Sequence, residues 1–191
     1  MRSMVEGNAV PRTSERQAQA PMKHSVSILL AGVLTCAAPS HAAGIAFDCD
    51  VPADRFSSVA QSVSGLMKIE GSVAVVQPRA GANLPVAGAT LASPDGKDSV
   101  GFQLVMASPR AKDFEVVLNL KRNGRLERAS VARADTGASL PFSLVLGGEG
   151  NVTLTIAGKS FSAEFMPLAD GKAMAFCSTG QFRFSDLLFG S

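Results

Sequence analysis

The sequence predicts an all-β fold: an antiparallel sandwich of two sheets with jelly-roll architecture. Apolar and polar residues alternate with a period of two over most of the chain after residue 65. Turn-forming pairs such as Asp95-Gly96 and Asn123-Gly124 separate these alternating segments. Residues 43–191 are also enough for a single domain with one core. A small β-barrel is the alternative that the same pattern allows.

The first element is a predicted signal peptide at residues 22–42. Lys23 precedes an apolar run at 26–38, and Ser40 and Ala42 are small residues that suit cleavage before residue 43. The run is shorter than the roughly 20 residues of a membrane-spanning helix. We therefore expect a periplasmic or secreted protein with no transmembrane segment after cleavage.

Two further features precede the predicted domain. Residues 1–21 are polar and lie before a complete signal, so we expect them to be a disordered upstream extension. Cys36 at the end of the apolar run allows a lipoprotein signal as an alternative. Thr35 stands directly before it, where such signals usually have Gly, Ala or Ser.

The alternation predicts ten strands within residues 43–191. The segment Asp54–Ser64, which precedes these strands, lacks regular alternation and is predicted as a helix. The strands are expected at Leu66–Val76, Ala87–Ala92, Val100–Met106, Asp113–Lys121, Leu126–Ala134, Leu140–Leu146, Asn151–Ile156, Ser160–Met166, Ala173–Cys177 and Gln181–Leu188. Turns are expected between them, including Asp170-Gly171 and Thr179-Gly180.

The clearest pair of strands is the hairpin around Asn123-Gly124. This dipeptide favours a two-residue turn, so Asp113–Lys121 and Leu126–Ala134 should pair antiparallel. The alternation places Phe114, Val116, Leu118 and Leu120 on the buried face.

Two cysteines, Cys49 and Cys177, remain in residues 43–191. An even number of cysteines in an exported chain indicates a disulfide. The bond would join the two ends of the domain and place the first and last strands side by side. A pair of buried free thiols is the alternative.

Composition excludes several functions. Both histidines, His24 and His41, lie in the predicted signal, and the chain has no Trp or Tyr. Catalytic arrangements that need histidine are therefore absent from the predicted domain. The missing Trp and Tyr also argue against an outer-membrane barrel, which carries girdles of these residues. Residues 43–191 contain 14 Lys and Arg and 14 Asp and Glu, because four of the 18 basic and two of the 16 acidic residues precede them. This neutral balance argues against binding nucleic acid.

Catalysis by a pair of carboxylates needs no histidine, so a glycosidase is not excluded. The available residues are Glu115, Glu127, Glu149 and Glu164, but their pattern marks no cleft. No motif for a cofactor is present, and we expect a protein that is not an enzyme.

Two groups of charged side chains are candidate binding sites. A basic cluster surrounds the Asn123-Gly124 turn and could contact an anionic glycan or lipid head group. Asp95 and Asp98 flank another turn and could supply oxygen ligands to Ca²⁺. Solvated turns are the plainer interpretation of both. The basic cluster consists of Lys121, Arg122, Arg125 and Arg128.

The sequence leaves two hypotheses for function. The first is a non-catalytic binding module for envelope or extracellular glycans, since many lectin domains share the jelly-roll architecture. The second is a structural or assembly partner of other cell-envelope proteins, which the neutral charge and the missing catalytic groups would suit.

Overall fold

The computed structural model describes residues 44–190, so the predicted signal and the upstream extension lie outside the described residues. Among residues 44–190, no helix is long and apolar enough to cross a membrane. Ten strands are present: β1 Ile45–Ser64, β2 Met67–Pro78, β3 Val86–Ala92, β4 Ser99–Val105, β5 Asp113–Arg122, β6 Arg125–Asp135, β7 Leu140–Leu146, β8 Asn151–Ile156, β9 Lys159–Glu164 and β10 Asp170–Phe189.

All strands pair antiparallel and form a two-layer jelly-roll sandwich. Sheet I has the order β6-β5-β4-β3-β10-β1, and sheet II has the order β1-β10-β2-β7-β8-β9. The strands β1 and β10 belong to both sheets because both are long and bent. Their halves Phe56–Ser64 and Asp170–Ser178 pair in sheet I. Their halves Ile45–Val51 and Gly180–Leu187 pair in sheet II.

The core lies between the two sheets and consists of the inward residues of the alternating strands. Phe102 of β4 contacts Phe142 of β7 with ring centroids 5.1 Å apart. Phe114 of β5 faces Phe182 of β10 at 6.5 Å. These pairs join sheet I to sheet II, so burial of the aromatic rings stabilises the sandwich as a unit.

The β5–β6 hairpin forms around Asn123-Gly124 as predicted, with one bulge where Val116 pairs with Ala132 and Val117 with Ser130. Phe114, Val116 and Leu118 are buried, and Leu120 is partly buried. Asn123 and Gly124 both have positive φ, as a type I′ turn requires. On the opposite face of β5, the side-chain oxygen Oδ1 of Asn119 is buried and has no hydrogen-bond partner within residues 44–190.

Two predictions about the ends of the domain were wrong. The segment Asp54–Ser64 is strand, because Phe56–Ser64 pairs with β10. The predicted turn at Asp170-Gly171 is the start of β10, and the one at Thr179-Gly180 lies inside this strand. Thr179 has φ 57° and marks the bend at which β10 passes from one sheet to the other.

The predicted disulfide is confirmed. Cys49 and Cys177 are bonded, with their Cα atoms 6.1 Å apart. Cys49 lies on the part of β1 in sheet II, whereas Cys177 lies on the part of β10 in sheet I. The bond therefore crosses the region where both shared strands change sheets.

Candidate functional site

The outer face of sheet I carries an open groove of about 480 Å³. This volume falls within the range of small-molecule sites. Its floor is formed by outward residues of the four adjacent strands β4, β3, β10 and β1. The lining residues are Phe56, Ala82, Asn83, Leu84, Val86, Gln103, Val105, Arg128, Phe176 and Ser178.

The strand register explains why these side chains meet. Directly paired residues of antiparallel strands lie on the same face of the sheet. Val105 pairs with Val86, Val86 with Ser178, and Ser178 with Phe56, which gives one row across the floor. Gln103 belongs to the next row, which continues through Gly88 to Phe176.

Two phenylalanines form an aromatic surface at one end of the groove. The Phe56 side chain is 58% exposed, the largest value among the exposed large hydrophobic residues of the described chain. It packs on Phe176, with ring centroids 5.7 Å apart and an angle of 31° between the rings. Phe176 fits there because Gly88 has no side chain: a Cβ at Gly88 would lie 3.0 Å from the Phe176 ring.

The loop between β2 and β3, residues 79–85, forms one wall of the groove. It contributes Ala82, Asn83 and Leu84, and Leu84 is one of the exposed large hydrophobic residues. Backbone groups hold the loop at both ends. The Arg79 amide donates to the Thr179 carbonyl at 3.1 Å, and the Met106 amide donates to the Pro85 carbonyl at 3.0 Å.

Asp54 holds the middle of this loop. Its carboxylate accepts hydrogen bonds from the amides of Ala82 at 3.1 Å and Asn83 at 2.6 Å, and from the Asn83 side chain. The pKa of Asp54 is lowered from 3.8, chiefly by the Asn83 amide and next by the Ala82 amide, because these donors favour the charged form. The wall of the groove is thus tied to the bend of β1.

The four residues of the predicted basic cluster lie on one hairpin but make different contacts. The Arg122 side chain contacts other residues of the chain. It forms an ion pair with Glu127 at 3.0 Å, donates to the Glu164 carbonyl and lies 5.3 Å from the centroid of the Phe165 ring. Lys121 donates to the Gly96 carbonyl at 2.9 Å.

The other two members of the cluster differ from these. Within residues 44–190, Arg125 and Arg128 form no ion pair and no side-chain hydrogen bond. Arg128 alone among the four lines the groove. It pairs with Asn119, whose Oδ1 is the buried atom without a partner.

The carboxylates of both candidate calcium ligands accept hydrogen bonds from residues of turns. The Asp95 carboxylate accepts from the Ser93 hydroxyl at 2.8 Å and the Lys97 amide at 3.0 Å. The Lys97 amide and then the Ser93 hydroxyl lower the pKa of Asp95 from 3.8 to about 2. Asp98 accepts from the Asn123 amide at 2.6 Å and so joins two neighbouring turns. Within residues 44–190, no group of three or more acidic, Cys or His residues could hold a metal ion.

The four glutamates considered for catalysis do not meet in the groove. Glu115 lies opposite Arg133 on the outer face of sheet I, and Glu127 pairs with Arg122. Glu149 lies between β7 and β8, and Glu164 ends β9. None of them lines the groove.

Solved structures with 10–14% sequence identity share the fold of this chain. No known family profile matches the sequence, and no curated protein matches it. The structure is similar to the carbohydrate-binding module CBM66 from Bacillus subtilis, with a TM-score of 0.50 and 14% identity over 75% of this chain and 90% of that chain. A β-glucanase from Bacillus licheniformis gives a TM-score of 0.49 and 10% identity, covering 80% of this chain and 95% of that chain. Xenopus laevis galectin-Ib gives 0.48 and 12%, covering 69% and 98%. The similarity to the module shows the jelly-roll fold.

Proposed function

We propose that this protein is an exported, non-catalytic glycan-binding module and that a sugar ring lies on Phe56 in the groove of sheet I. The observation that carries the proposal is the exposed Phe56 ring, supported from below by Phe176. An aromatic face offers apolar area without many rotatable bonds, which suits the C–H face of a sugar. The fold of the carbohydrate-binding module supports this proposal.

The polar residues of the groove suit hydroxyl groups. Asn83 and Gln103 carry amides that both donate and accept hydrogen bonds, and Ser178 carries a hydroxyl. These residues are distributed around an otherwise apolar floor, as in sites that bind a small molecule in one orientation.

We propose that the preferred glycan carries acidic sugars. Arg128 is the one charged residue that lines the groove, and it has no ion-pair partner within residues 44–190. A free guanidinium binds a carboxylate through two parallel hydrogen bonds. Envelope and extracellular polysaccharides are the expected source, given the predicted signal peptide and a disulfide of the kind formed in oxidising compartments.

The absence of catalysis is part of the proposal. Hydrolysis of a glycosidic bond usually uses two carboxylates on either side of the bond. Among the described residues that line the groove, none is Asp or Glu. We therefore expect binding without release of new reducing ends.

Two matched pairs of variants test the site by calorimetry with acidic and neutral oligosaccharides. Phe56→Ala should weaken binding about tenfold or more, whereas Val76→Ala, which truncates an exposed residue of sheet II, should bind normally. Arg128→Gln should weaken binding of acidic oligosaccharides selectively. Arg125→Gln removes the same charge from the same hairpin outside the groove and should have no effect.

Several results would overturn the proposal. If Phe56→Ala and Val76→Ala bind equally well, the aromatic surface is not the site. If Arg128→Gln weakens the binding of acidic and neutral glycans equally, the proposed preference for acidic sugars is wrong. The groove would still be the binding site. A reducing-end assay that detects turnover would show an enzyme.

A further inference from the structure

The free edges of the two sheets differ in charge. Within residues 44–190, sheet I ends at β6 and at the second half of β1, and sheet II ends at β9 and at the first half of β1. An unpaired edge can accept another strand, and proteins usually prevent this with charged residues, prolines or bulges. Three of the four edges have such protection. β6 contains a bulge and charges such as Arg125 and Arg133, β9 contains Lys159 and Glu164, and the first half of β1 contains Asp48 and Asp50.

The fourth edge, Phe56–Ser64, has no such protection. Its nine residues include no charged residue and no proline. It pairs with β10 in a regular register without a bulge. Most of its side chains are exposed. We call this segment the β1 edge.

We propose that a second copy of this chain pairs with the β1 edge, antiparallel about a two-fold axis at Ala60, so that sheet I continues through both copies. Two-fold contacts require a surface that complements itself. The uncharged β1 edge meets this requirement because no like charges would face each other.

The register about Ala60 gives compatible pairs. Ala60 faces its own copy, Ser58 faces Ser62, and Val59 faces Gln61. Directly opposite hydroxyl side chains can hydrogen-bond across strands. The nearest charge, Arg55, would lie opposite Gly65 of the other copy, so the axis also keeps the two arginines apart. An acidic or basic partner strand would find no ion pair at this edge, whereas a second copy needs none, which favours the second copy.

The arrangement would place two grooves on one continuous surface. Phe56 belongs both to the groove and to the β1 edge. Phe56 would lie opposite Ser64 of the other copy, eight positions along the strand from that copy's Phe56, so the two Phe56 rings would lie roughly 27 Å apart along the strands. This consequence rests on the proposed function, since it would let one polysaccharide bind both copies. The pairing itself does not depend on it.

Sedimentation of the full chain over a range of concentrations tests the pairing without any glycan. The wild type should form a reversible dimer. Ala60→Lys should weaken the dimer about tenfold or more, because two lysines would meet at the axis. Ala129→Lys places the same side chain on the exposed edge strand β6 and should leave the dimer unchanged.

Oxidative crosslinking tests the register. Residues directly opposite each other in antiparallel strands have Cα atoms about 4.5–5.5 Å apart, within the range of a disulfide. Ala60→Cys should therefore form a covalent dimer. In Ser62→Cys the two cysteines would lie roughly 13 Å apart and should not bond. The wild type, oxidised in the same way, gives the background.

A wild type that stays monomeric at high concentration would overturn the proposal, whatever the glycan experiments show. A dimer that Ala60→Lys and Ala129→Lys weaken equally would also overturn it. Equal crosslinking of Ala60→Cys and Ser62→Cys would exclude the two-fold axis at Ala60.

Discussion

At the scale of single residues, Asp54 connects the backbone of β1 with the groove. It has a left-handed backbone, φ 60°, a conformation in which Asp is more common than most residues. Its amide donates to the Thr179 hydroxyl at 3.2 Å, and its carboxylate accepts from the amides of Ala82 and Asn83. One residue therefore fixes the bend of β1 and a wall of the groove.

The lowered pKa of Asp54 predicts how this wall responds to acid. The folded-state pKa lies below 3.8, the ordinary value. The charged carboxylate therefore stabilises the fold above the pKa of the unfolded chain, and this stabilisation is lost as the pH falls through the folded-state value. In an NMR titration, the amide shifts of Ala82 and Asn83 should change as the pH falls, with a midpoint below 3.8.

The variant Asp54→Asn is the control for that titration. It removes the carboxylate, so the acid-dependent change at Ala82 and Asn83 should disappear. A midpoint at or above the ordinary value in the wild type would contradict the hydrogen-bond pattern. So would an unchanged titration in the variant.

At the scale of elements, the β5–β6 hairpin is the clearest test of packing. Leu118 is 5% exposed and points between the sheets. A carboxylate there would be buried without a partner, which costs more than about 4 kcal/mol in severe cases. Since the total stability of a domain is about 5–15 kcal/mol, Leu118→Asp should leave little folded protein in urea unfolding experiments.

Ser130→Asp provides the comparison on the same hairpin. Ser130 is exposed and pairs with Val117 on the outer face of sheet I. The new charge would stay in water, so the urea midpoint should shift little. Asn119 would be a poorer control, because its buried oxygen Oδ1 already lacks a partner. If both Asp variants unfold equally, the hairpin does not bury the face that contains Leu118.

The sequence predicted elements that depend on local pattern and failed for those that depend on distant partners. The β5–β6 hairpin combines regular alternation with an Asn-Gly turn, and both signals lie within a short segment. The segment Phe56–Ser64 has many serines and weak alternation, and it is a strand because β10 pairs with it. Thr179-Gly180 was predicted as a turn because small and flexible residues form turns, but the same residues can bend a continuous strand.

The residues of the candidate site divide in the same way, into those that a local pattern predicts and those that depend on distant partners. Arg128 was predicted as part of a basic cluster, since charge around a turn is visible in the sequence. Phe56, Phe176 and Asn83 were missed. An outward phenylalanine of a strand looks like a core residue until the strand order is known, and the position of a loop amide depends on where the loop packs. The groove draws on four adjacent strands, on Arg128 of β6 and on a loop, so its residues come together only in the complete sheet.

At the scale of the whole molecule, β1 and β10 hold the two sheets together. Each contributes a half to both sheets, and the two strands pair with each other in both. The Cys49–Cys177 disulfide joins these same strands across the bend. Loss of the pairing between β1 and β10 would therefore weaken both sheets at once.

Removal of the disulfide should lower stability mainly through the unfolded chain. The bond links residues 128 positions apart, and closing a loop of this length restricts the unfolded ensemble strongly. Native disulfides typically contribute about 2–5 kcal/mol. The double variant Cys49→Ser with Cys177→Ser should have a clearly lower urea midpoint, and the wild type should reach the same midpoint in reductant.

A double variant as stable as the oxidised wild type would show that the strand pairing alone holds the chain ends together. A reduced wild type that stays more stable than the variant would instead assign the loss to the serine side chains, since both sulfur positions are buried.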